Sequence, residues 1–191
     1  NSLVGQEDSP FLEYAWIHAL EKTGLACTET GWQPVHLAAY TPDRRLVAVA
    51  PMYAKSHSMG EFIFDQSWAD FAERSLGIRY YPKLLVAVPF TPAVGKRFLI
   101  EQGLSTEEKL EIMRYVARFL AKLVDDNRLS SASVNWMLPE EVCGFVEEKE
   151  PTSPQDFDFA AHMKVGIMTG LMGGSDHETR PTYLHRETIQ Y

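Results

Sequence analysis

KSHSMGEFIFDQSWADFAERSLGIRYYPKLLVAVPFTP, residues 55–92, is the most informative segment for the fold class. It opens with the polar run Lys55–Glu61 directly after an apolar strand pattern, a position at which binding loops often lie. Ser67–Leu76 then predicts a short helix, because its apolar residues recur at helical spacing. We expect the inner face of that helix to comprise Trp68, Phe71, Ala72 and Leu76. Leu84–Val88, bounded by prolines, predicts a strand, so the stretch indicates a fold of mixed helices and strands.

The sequence before this stretch predicts a helix and a pair of strands. Ser9 and Pro10 are favourable first residues for a helix, and Gly24 is a favourable end. Residues 35–40 and 46–53 have strand patterns and are separated by a short Thr-Pro-Asp turn. Strands joined by so short a turn predict an antiparallel hairpin.

The sequence after this stretch predicts the longest helix and one more strand. Ser105 and Glu108 have the S-x-x-E spacing of a capping box. The apolar stripe that follows comprises Leu110, Met113, Val116, Ala117 and Leu120. Residues 132–137 predict a strand. We therefore predict an α/β fold of the α+β kind, in which helices flank a mixed, largely antiparallel sheet.

The composition of the chain changes after residue 138. Residues 140–150 are rich in acids, and residues 166–174 are rich in Gly and Met. We predict one domain over residues 1–138 and a linker or insertion over 139–181. Residues 182–191 have the pattern of a strand that is only beginning, which indicates that a further domain starts there.

Charge and composition restrict the classes of partner and compartment. The chain of 191 residues has 18 Lys and Arg against 26 Asp and Glu, a net charge of −8. An acidic surface repels nucleic-acid phosphates, so we expect no DNA partner. No apolar run approaches the roughly 20 residues of a membrane span. Cys27 and Cys143 form no paired motif and predict reduced thiols in a reducing compartment. We therefore expect a cytoplasmic protein or, if the source is eukaryotic, one from the matrix of a plastid or mitochondrion.

Residues 9–138 resemble a known family. Besides residues 55–92, the resemblance lies in SPFLEYAWIHALEKTG (9–24), TGWQPVHLAAY (30–40) and LVAVAPMYAKSHS (46–58). These segments are similar to the first half of an uncharacterised FemAB-like family of "peptidoglycan biosynthesis/recognition", within the GNAT-type superfamily of acyltransferases. TYLHRETIQY (182–191) resembles the opening of that family's second half.

The resemblance implies two GNAT-like domains and a reaction. Residues 1–138 would be the first domain, and residues 182–191 would begin the second. The family implies transfer of an acyl or aminoacyl group to an amine, with acyl-CoA or aminoacyl-tRNA as the donor and an amine-bearing molecule as the acceptor. No metal or resident cofactor is implied.

Three residues in the quoted stretch are candidates for catalysis. Amide formation requires a neutral amine, and a histidine with a pKa near neutrality can remove the proton. We predict His57 as this base, with Glu61 or Asp65 orienting it or binding an ammonium group. The alternative is an ordinary loop histidine with two solvated acids.

Four further residues are candidates for substrate binding. Tyr81 and Lys83 would contact a carboxylate or phosphate, and Trp68 would line a groove. Arg97, in a turn with Gly95, would hold a phosphate. The alternatives are a core position for Trp68 and a solvated hairpin turn for Arg97.

Other chemistries fit the sequence less well. Residues 74–79 come nearest to the phosphate loop of CoA-dependent acyltransferases but follow a helix instead of preceding one, which disfavours a simple acetyl-CoA enzyme. Neither a P-loop nor a G-x-S-x-G nucleophile motif is present. We predict no metal site, since adjacent residues such as Asp176, His177 and Glu178 rarely converge on one ion.

A non-catalytic role is the alternative hypothesis. The fold could serve as a binding or scaffold subunit that docks on partner chains in a larger assembly. Met168 and Met172 would form an adaptable apolar contact if this segment were helical.

Overall fold

The structure, a computed structural model, describes residues 2–62, 64–146 and the backbone of 164–168. These residues form four helices: α1 (Tyr14–Lys22), α2 (Gln66–Ser75), α3 (Thr106–Asn127) and α4 (Pro139–Val146). They also form eight strands: β1 (Trp32–Pro34), β2 (His36–Tyr40), β3 (Leu46–Ala50), β4 (Met52–Lys55), β5 (Lys83–Val86), β6 (Leu99–Ile100), β7 (Ala132–Val134) and β8 (Lys164–Met168). The predicted α+β class is confirmed.

A long antiparallel hairpin organises the sheet. β1 and β2 run along β4 and β3 in one register, in which Trp32 faces Lys55 and Leu37 faces Ala50. Pro51 lies between β3 and β4, and the backbone N–H of Val35 bridges this interruption to the carbonyl of Met52 at 2.9 Å. The predicted hairpin is therefore confirmed.

Further strands extend the hairpin on both sides and divide the sheet into two parts. The strand orders are β1-β4-β5-β7 and β6-β3-β2-β8. β5 and β7 are parallel, and the other pairs among the described strands are antiparallel. Parallel neighbours need a crossover connection, and here α3 lies in that connection.

α3 covers one face of the sheet. Its first turn has the predicted capping box, in which Ser105 and Glu108 bind each other's backbone N–H groups. Its buried side chains, Ile112, Met113, Val116 and Leu120, pack against the apolar residues of β2, β3, β4 and β5. This is the principal core, and burial of each such side chain contributes about 1.5–3 kcal/mol.

The N-terminal segment covers part of the opposite face. Ser9 caps a turn of 3₁₀ helix, Pro10–Leu12, which precedes α1. Leu12 and Ile17 pack against Val88 and Leu99. A neighbouring cluster joins Ala26, Trp32, Tyr53, Leu85 and Ala87. The sheet is therefore covered on both faces.

The predicted orientation of α2 is wrong. Trp68 and Phe71 are 68% and 52% exposed, and Leu76 is also exposed. Within α2 the buried residue is Ala69. Helical spacing shows that side chains share one side of a helix, but it does not show whether that side faces the core.

Part of the predicted linker packs against the domain. α4, which begins at residue 139, contacts α3, and Phe145 lies against Phe98 with ring centroids 5.4 Å apart. The backbone of β8 pairs with all of β2. The predicted domain start at 182–191, the 176–178 run, Met172 and the side chains of Cys143 and Met168 lie outside the described residues.

Candidate functional site

Two lysines stand side by side where β4 ends and β5 begins. Lys55 and Lys83 are direct cross-strand partners. Like charges in this arrangement destabilise a sheet unless other groups compensate them. Lys55 is 2% exposed and the side chain of Lys83 is 12% exposed, so water compensates neither fully. The surrounding residues must therefore supply negative charge.

Glu61 compensates Lys55. The Lys55 ammonium group donates to the Glu61 carboxylate and to the carbonyl of His57. It also lies 4.3 Å from the centroid of the Trp32 ring, whose indole N–H donates to Glu61 at 3.0 Å. Burial lowers the pKa of Lys55, and the hydrogen bond to Glu61 opposes that effect. Lys55 is thus fixed by an acid, a carbonyl and an aromatic face.

Asp65 compensates Lys83 in a similar way. Lys83 Nζ donates to Asp65 Oδ2 at 2.6 Å and to the Tyr80 hydroxyl at 3.1 Å. The same nitrogen lies 4.2 Å from the centroid of the Tyr80 ring and 5.2 Å from that of Tyr81. Lys83 is therefore held between a carboxylate and two aromatic rings.

Asp65 is the most highly connected acid of the cluster. Ser58 Oγ donates to Oδ1 at 2.7 Å, the Tyr80 hydroxyl donates to Oδ2 at 3.0 Å, and the Tyr81 hydroxyl donates to Oδ1. Burial alone would raise the pKa of Asp65, but the hydrogen bonds from Lys83, Tyr81 and Ser58 outweigh it and hold this pKa well below its usual range. Asp65 is consequently a fixed carboxylate and a poor proton acceptor.

Tyr81 serves this carboxylate as a neutral donor. Burial and the hydrogen bond to Asp65 both raise the pKa of the Tyr81 hydroxyl far above neutrality. Its proton therefore stays on the phenol and points to Asp65.

The structure brings four of the predicted residues into one cluster and leaves three others around or outside it. The cluster contains Glu61, Asp65, Tyr81 and Lys83. Its two acids bind lysines instead of orienting His57, since Glu61 pairs with Lys55 and Asp65 pairs with Lys83. The His57 carbonyl reaches Lys55, while its ring Nδ1 accepts from the Met59 backbone N–H at 3.3 Å. In the neutral tautomer that fits this contact, Nε2 carries the proton.

His57 also lies close to the preceding loop. A Cβ at Gly31, where φ is +78°, would come within 2.6 Å of the His57 carbonyl oxygen and 3.1 Å of its ring. Glycine therefore suits this position on two grounds, its positive φ and the close approach of His57.

Arg97 has a structural role that the sequence prediction missed. It is 2% exposed, and its guanidinium donates to the carbonyls of Asn135 at 2.7 Å, Lys96 at 2.8 Å and Gly95 at 3.1 Å. It also donates to the carbonyl of Ala93. Its donors are thus engaged by backbone carbonyls of the fold, and the phosphate contact stays a sequence-based prediction.

Trp68 is positioned next to the cluster but outside its hydrogen-bond network. It lies on the first turn of α2, three residues after Asp65, with its ring mostly in solvent. The expectation of a core position is wrong. Its exposure leaves it available to line a groove, as the functional prediction required.

Sequence reasoning did not assign Trp32, Lys55 or Ser58 to the cluster. The sequence pattern could have indicated that Lys55 is buried. It is the last residue of an apolar strand pattern, and it lies on the same buried face of β4 as Tyr53. Its position opposite Lys83 requires the register of β4 and β5, which the sequence alone does not provide.

A second polar cluster is buried and separate from the first. Glu21 of α1 accepts from His36 Nε2 at 2.7 Å and from the Tyr53 hydroxyl at 3.1 Å. His36 Nδ1 accepts from the Met52 backbone N–H. All three side chains are buried, so this cluster fixes α1 to the sheet. His36 also borders an apolar cavity of about 150 Å³ lined mainly by aliphatic side chains.

A metal centre and a membrane span are two other kinds of site that the described part of the chain could contain. Within it, no group of three or more His, Cys, Asp or Glu side chains converges as a metal site would require. None of the helices there is both long enough and apolar enough to cross a bilayer.

The contacts of Lys83 determine what its ammonium group can do chemically. An ammonium group has three protons, and the described residues accept two of those on Lys83. Lys83 is also more exposed than Lys55. Lys83 can therefore donate to a bound carboxylate, phosphate or developing oxyanion, while Lys55 holds the surrounding loop in place.

Comparison with known proteins identifies a family for the chain. The FemAB-like family model, described as peptidoglycan biosynthesis/recognition, matches residues 1–163. No curated protein and no solved structure matches the chain.

Proposed function

The chain belongs to the FemAB-like family, and from this premise we propose that it transfers an acyl or aminoacyl group to an amine, forming an amide bond. The family's description places it in peptidoglycan biosynthesis or recognition, so we propose the amine of a peptidoglycan-type peptide as the acceptor. The GNAT-like character of the fold, the second domain beginning at 182–191 and the identity of the donor stay predictions.

The observation that supports this proposal most directly is Lys83, which is held by Asp65 and is more exposed than Lys55. Attack of an amine on an acyl carbonyl places negative charge on the carbonyl oxygen, and a fixed donor stabilises that charge. Lys83 would be this donor or would bind a carboxylate or phosphate of the substrate. Asp65 and Tyr81 would act as positioning residues, since they hold Lys83 and its surroundings without needing to change protonation.

The proton of the acceptor amine needs a base, and His57 stays the proposed residue. Its carbonyl contacts Lys55 and its ring lies in the loop between Lys55 and Asp65. To act as a base, Nδ1 would have to release the Met59 N–H at 3.3 Å, a long and therefore weak hydrogen bond.

The test is an amide-forming assay on the purified full-length protein. A peptidoglycan stem peptide with a free amine is incubated with acyl-CoA or aminoacyl-tRNA donors, and the amide product is detected by mass spectrometry. We expect Lys83→Met to lower kcat/KM by about 10²-fold. Tyr81→Phe should lower it less, since the ring stays and only the hydrogen bond to Asp65 is lost.

Lys96→Met is the matched control. Lys96 also binds an aspartate, Asp8, at 2.6 Å, but its side chain is 47% exposed and lies outside the cluster. We expect it to leave kcat/KM unchanged. If the wild-type protein binds the peptide but forms no amide with either donor, the transferase proposal fails and the non-catalytic binding module takes its place.

A further inference from the structure

We propose that the outer edge of β7, together with the groove between β7 and α3, binds an extended peptide that carries a basic side chain and apolar side chains. The groove has a volume of about 470 Å³. We define the β7 groove by six of the residues that line it: Leu120, Val124, Asp125, Ala132, Val134 and Met137. The inference is independent of the proposed reaction, because Leu84 packs on the α3 face of the sheet and Lys83, the preceding residue, points to the other face.

The outer edge of β7 is open to a further strand. Among the described strands, β7 is the last of its half of the sheet and pairs with β5 alone. The Ser131 carbonyl and the Asn135 N–H bind β5 at 2.9 Å and 3.1 Å. Because the backbone groups of a strand alternate in direction, Ala132 and Val134 present their N–H and C=O groups to the outside. An extended peptide can therefore form backbone hydrogen bonds at this edge.

The β7 groove lies directly beside this edge. Ala132 and Val134 line it on the strand side, and Leu120 and Val124 line it on the helix side. Because the side chains of a strand alternate between two faces, every second side chain of a peptide paired with β7 points into the groove. The volume of the groove lies within the range of about 300–1,000 Å³ that is usual for ligand pockets. The groove therefore selects a peptide with apolar side chains at alternate positions.

Asp125 requires a cation at one end of the groove. It lies in the last turn of α3, where the helix dipole is negative and no residue is basic. The neighbouring Asp126 pairs with Lys122 at 3.0 Å, whereas Asp125 has no ion pair within the part of the chain that the structure describes. Arg79 reaches this end of the helix but donates to the Arg128 carbonyl. A lysine or arginine of the peptide balances the charge of Asp125, at the end of the groove where β7 begins.

The β7 strand of a second copy does not meet this requirement. Exposed edge strands can pair with one another. However, residues 132–137 contain no basic side chain, so a β7–β7 pair leaves Asp125 without a cation. The charge at this end of the groove therefore favours a basic peptide over a second copy of the chain.

The test is fluorescence polarisation of the full-length protein with labelled peptides. The probe is Lys-Thr-Val-Thr-Leu-Thr, whose lysine, valine and leucine share one face, together with its reverse sequence, since a strand can pair in either direction. We expect saturable binding of one of these two lysine probes. The same peptide with glutamate in place of lysine should bind at least about tenfold more weakly.

Two variants test the two parts of the site. Ala132→Pro removes an outward N–H but no hydrogen bond to β5, and proline is tolerated on an edge strand in this position, so the fold should be retained while binding falls at least about tenfold. Asp125→Lys should reverse the preference, so that the glutamate probe binds more tightly than the lysine probe. Asp126→Asn is the matched control, because Asp126 is the adjacent acid but does not line the groove, and it should leave binding unchanged.

Three results would overturn the proposal, with circular dichroism showing that each variant is folded. They are no saturable binding of either lysine probe by the wild type, equal affinity of the wild type and Ala132→Pro, and an unchanged preference in Asp125→Lys. A concentration-dependent dimer in sedimentation velocity that Ala132→Pro abolishes would assign the edge to a second copy instead.

Discussion

Glu141→Ala should destabilise the protein strongly, although it lies far from the candidate site. Glu141 is buried and its carboxylate accepts from the backbone N–H groups of Arg97 at 2.8 Å, Phe98 at 3.0 Å and Leu138 at 3.1 Å. Alanine leaves these three donors without an acceptor. At about 1–2 kcal/mol for each stranded donor, the free energy of unfolding should fall by about 3–6 kcal/mol.

The assay is urea unfolding followed by far-UV circular dichroism, with Glu140→Ala as the matched control. Glu140 is the preceding glutamate on the same helix turn, but it is exposed. Its replacement should change the free energy of unfolding by less than about 0.5 kcal/mol. If the two alanine variants agree within about 1 kcal/mol, the carboxylate does not hold these donors and the reasoning is refuted.

Three further predictions concern the site and the core. The pKa of Asp65 is lower in the folded state than in the unfolded state, so the ionised carboxylate stabilises the fold. This contribution to the free energy of unfolding is complete above the unfolded pKa, about 3.9, and is lost as the pH falls through the folded pKa. The stability difference between wild type and Asp65→Asn in urea titrations should therefore be constant from about pH 7 to 5 and shrink below about pH 4; an unchanged difference in stronger acid would contradict the assignment. Trp32→Phe keeps a ring near Lys55 but loses the hydrogen bond to Glu61. Thermal unfolding should therefore show that the free energy of unfolding falls by about 1 kcal/mol, and an unchanged value would show that the fold does not need this bond. Ile112→Ala should lower the free energy of unfolding in urea by about 2–5 kcal/mol, since Ile112 is buried between α3 and the sheet. A decrease below about 1 kcal/mol would mean that neighbouring side chains move in to fill the cavity.

Local sequence patterns predicted the elements whose signals lie within a few residues. The turn between β2 and β3, the capping box of α3 and three residues of its apolar stripe, Met113, Val116 and Leu120, each depend on short spacings. The predicted stripe included Leu110 and Ala117 and missed the buried Ile112. The orientation of α2 depends instead on contacts with distant residues. Its N-terminus is fixed by Asp65, whose partners Tyr81 and Lys83 follow the helix. That information is not contained in the helical period.

The candidate site was predictable in its residue types but not in its pairing. Glu61, Asp65 and Lys83 are polar residues beside apolar strands, which is a local signal. Their pairing follows from the register of β4 and β5, which places Lys83 opposite Lys55. The sequence suggested a pairing of His57 with the two acids, whereas in the structure Glu61 accepts from Lys55 and Asp65 accepts from Lys83.

The register of the central hairpin also bears on the order of folding. All of its paired residues lie within positions 32–55, so its contacts are close along the chain and need little loop closure. The parallel pairing of β5 with β7 must wait until α3 and the residues after it have been synthesised. On a ribosome, the hairpin can therefore emerge and form before the strand that completes the sheet beside Lys83 exists.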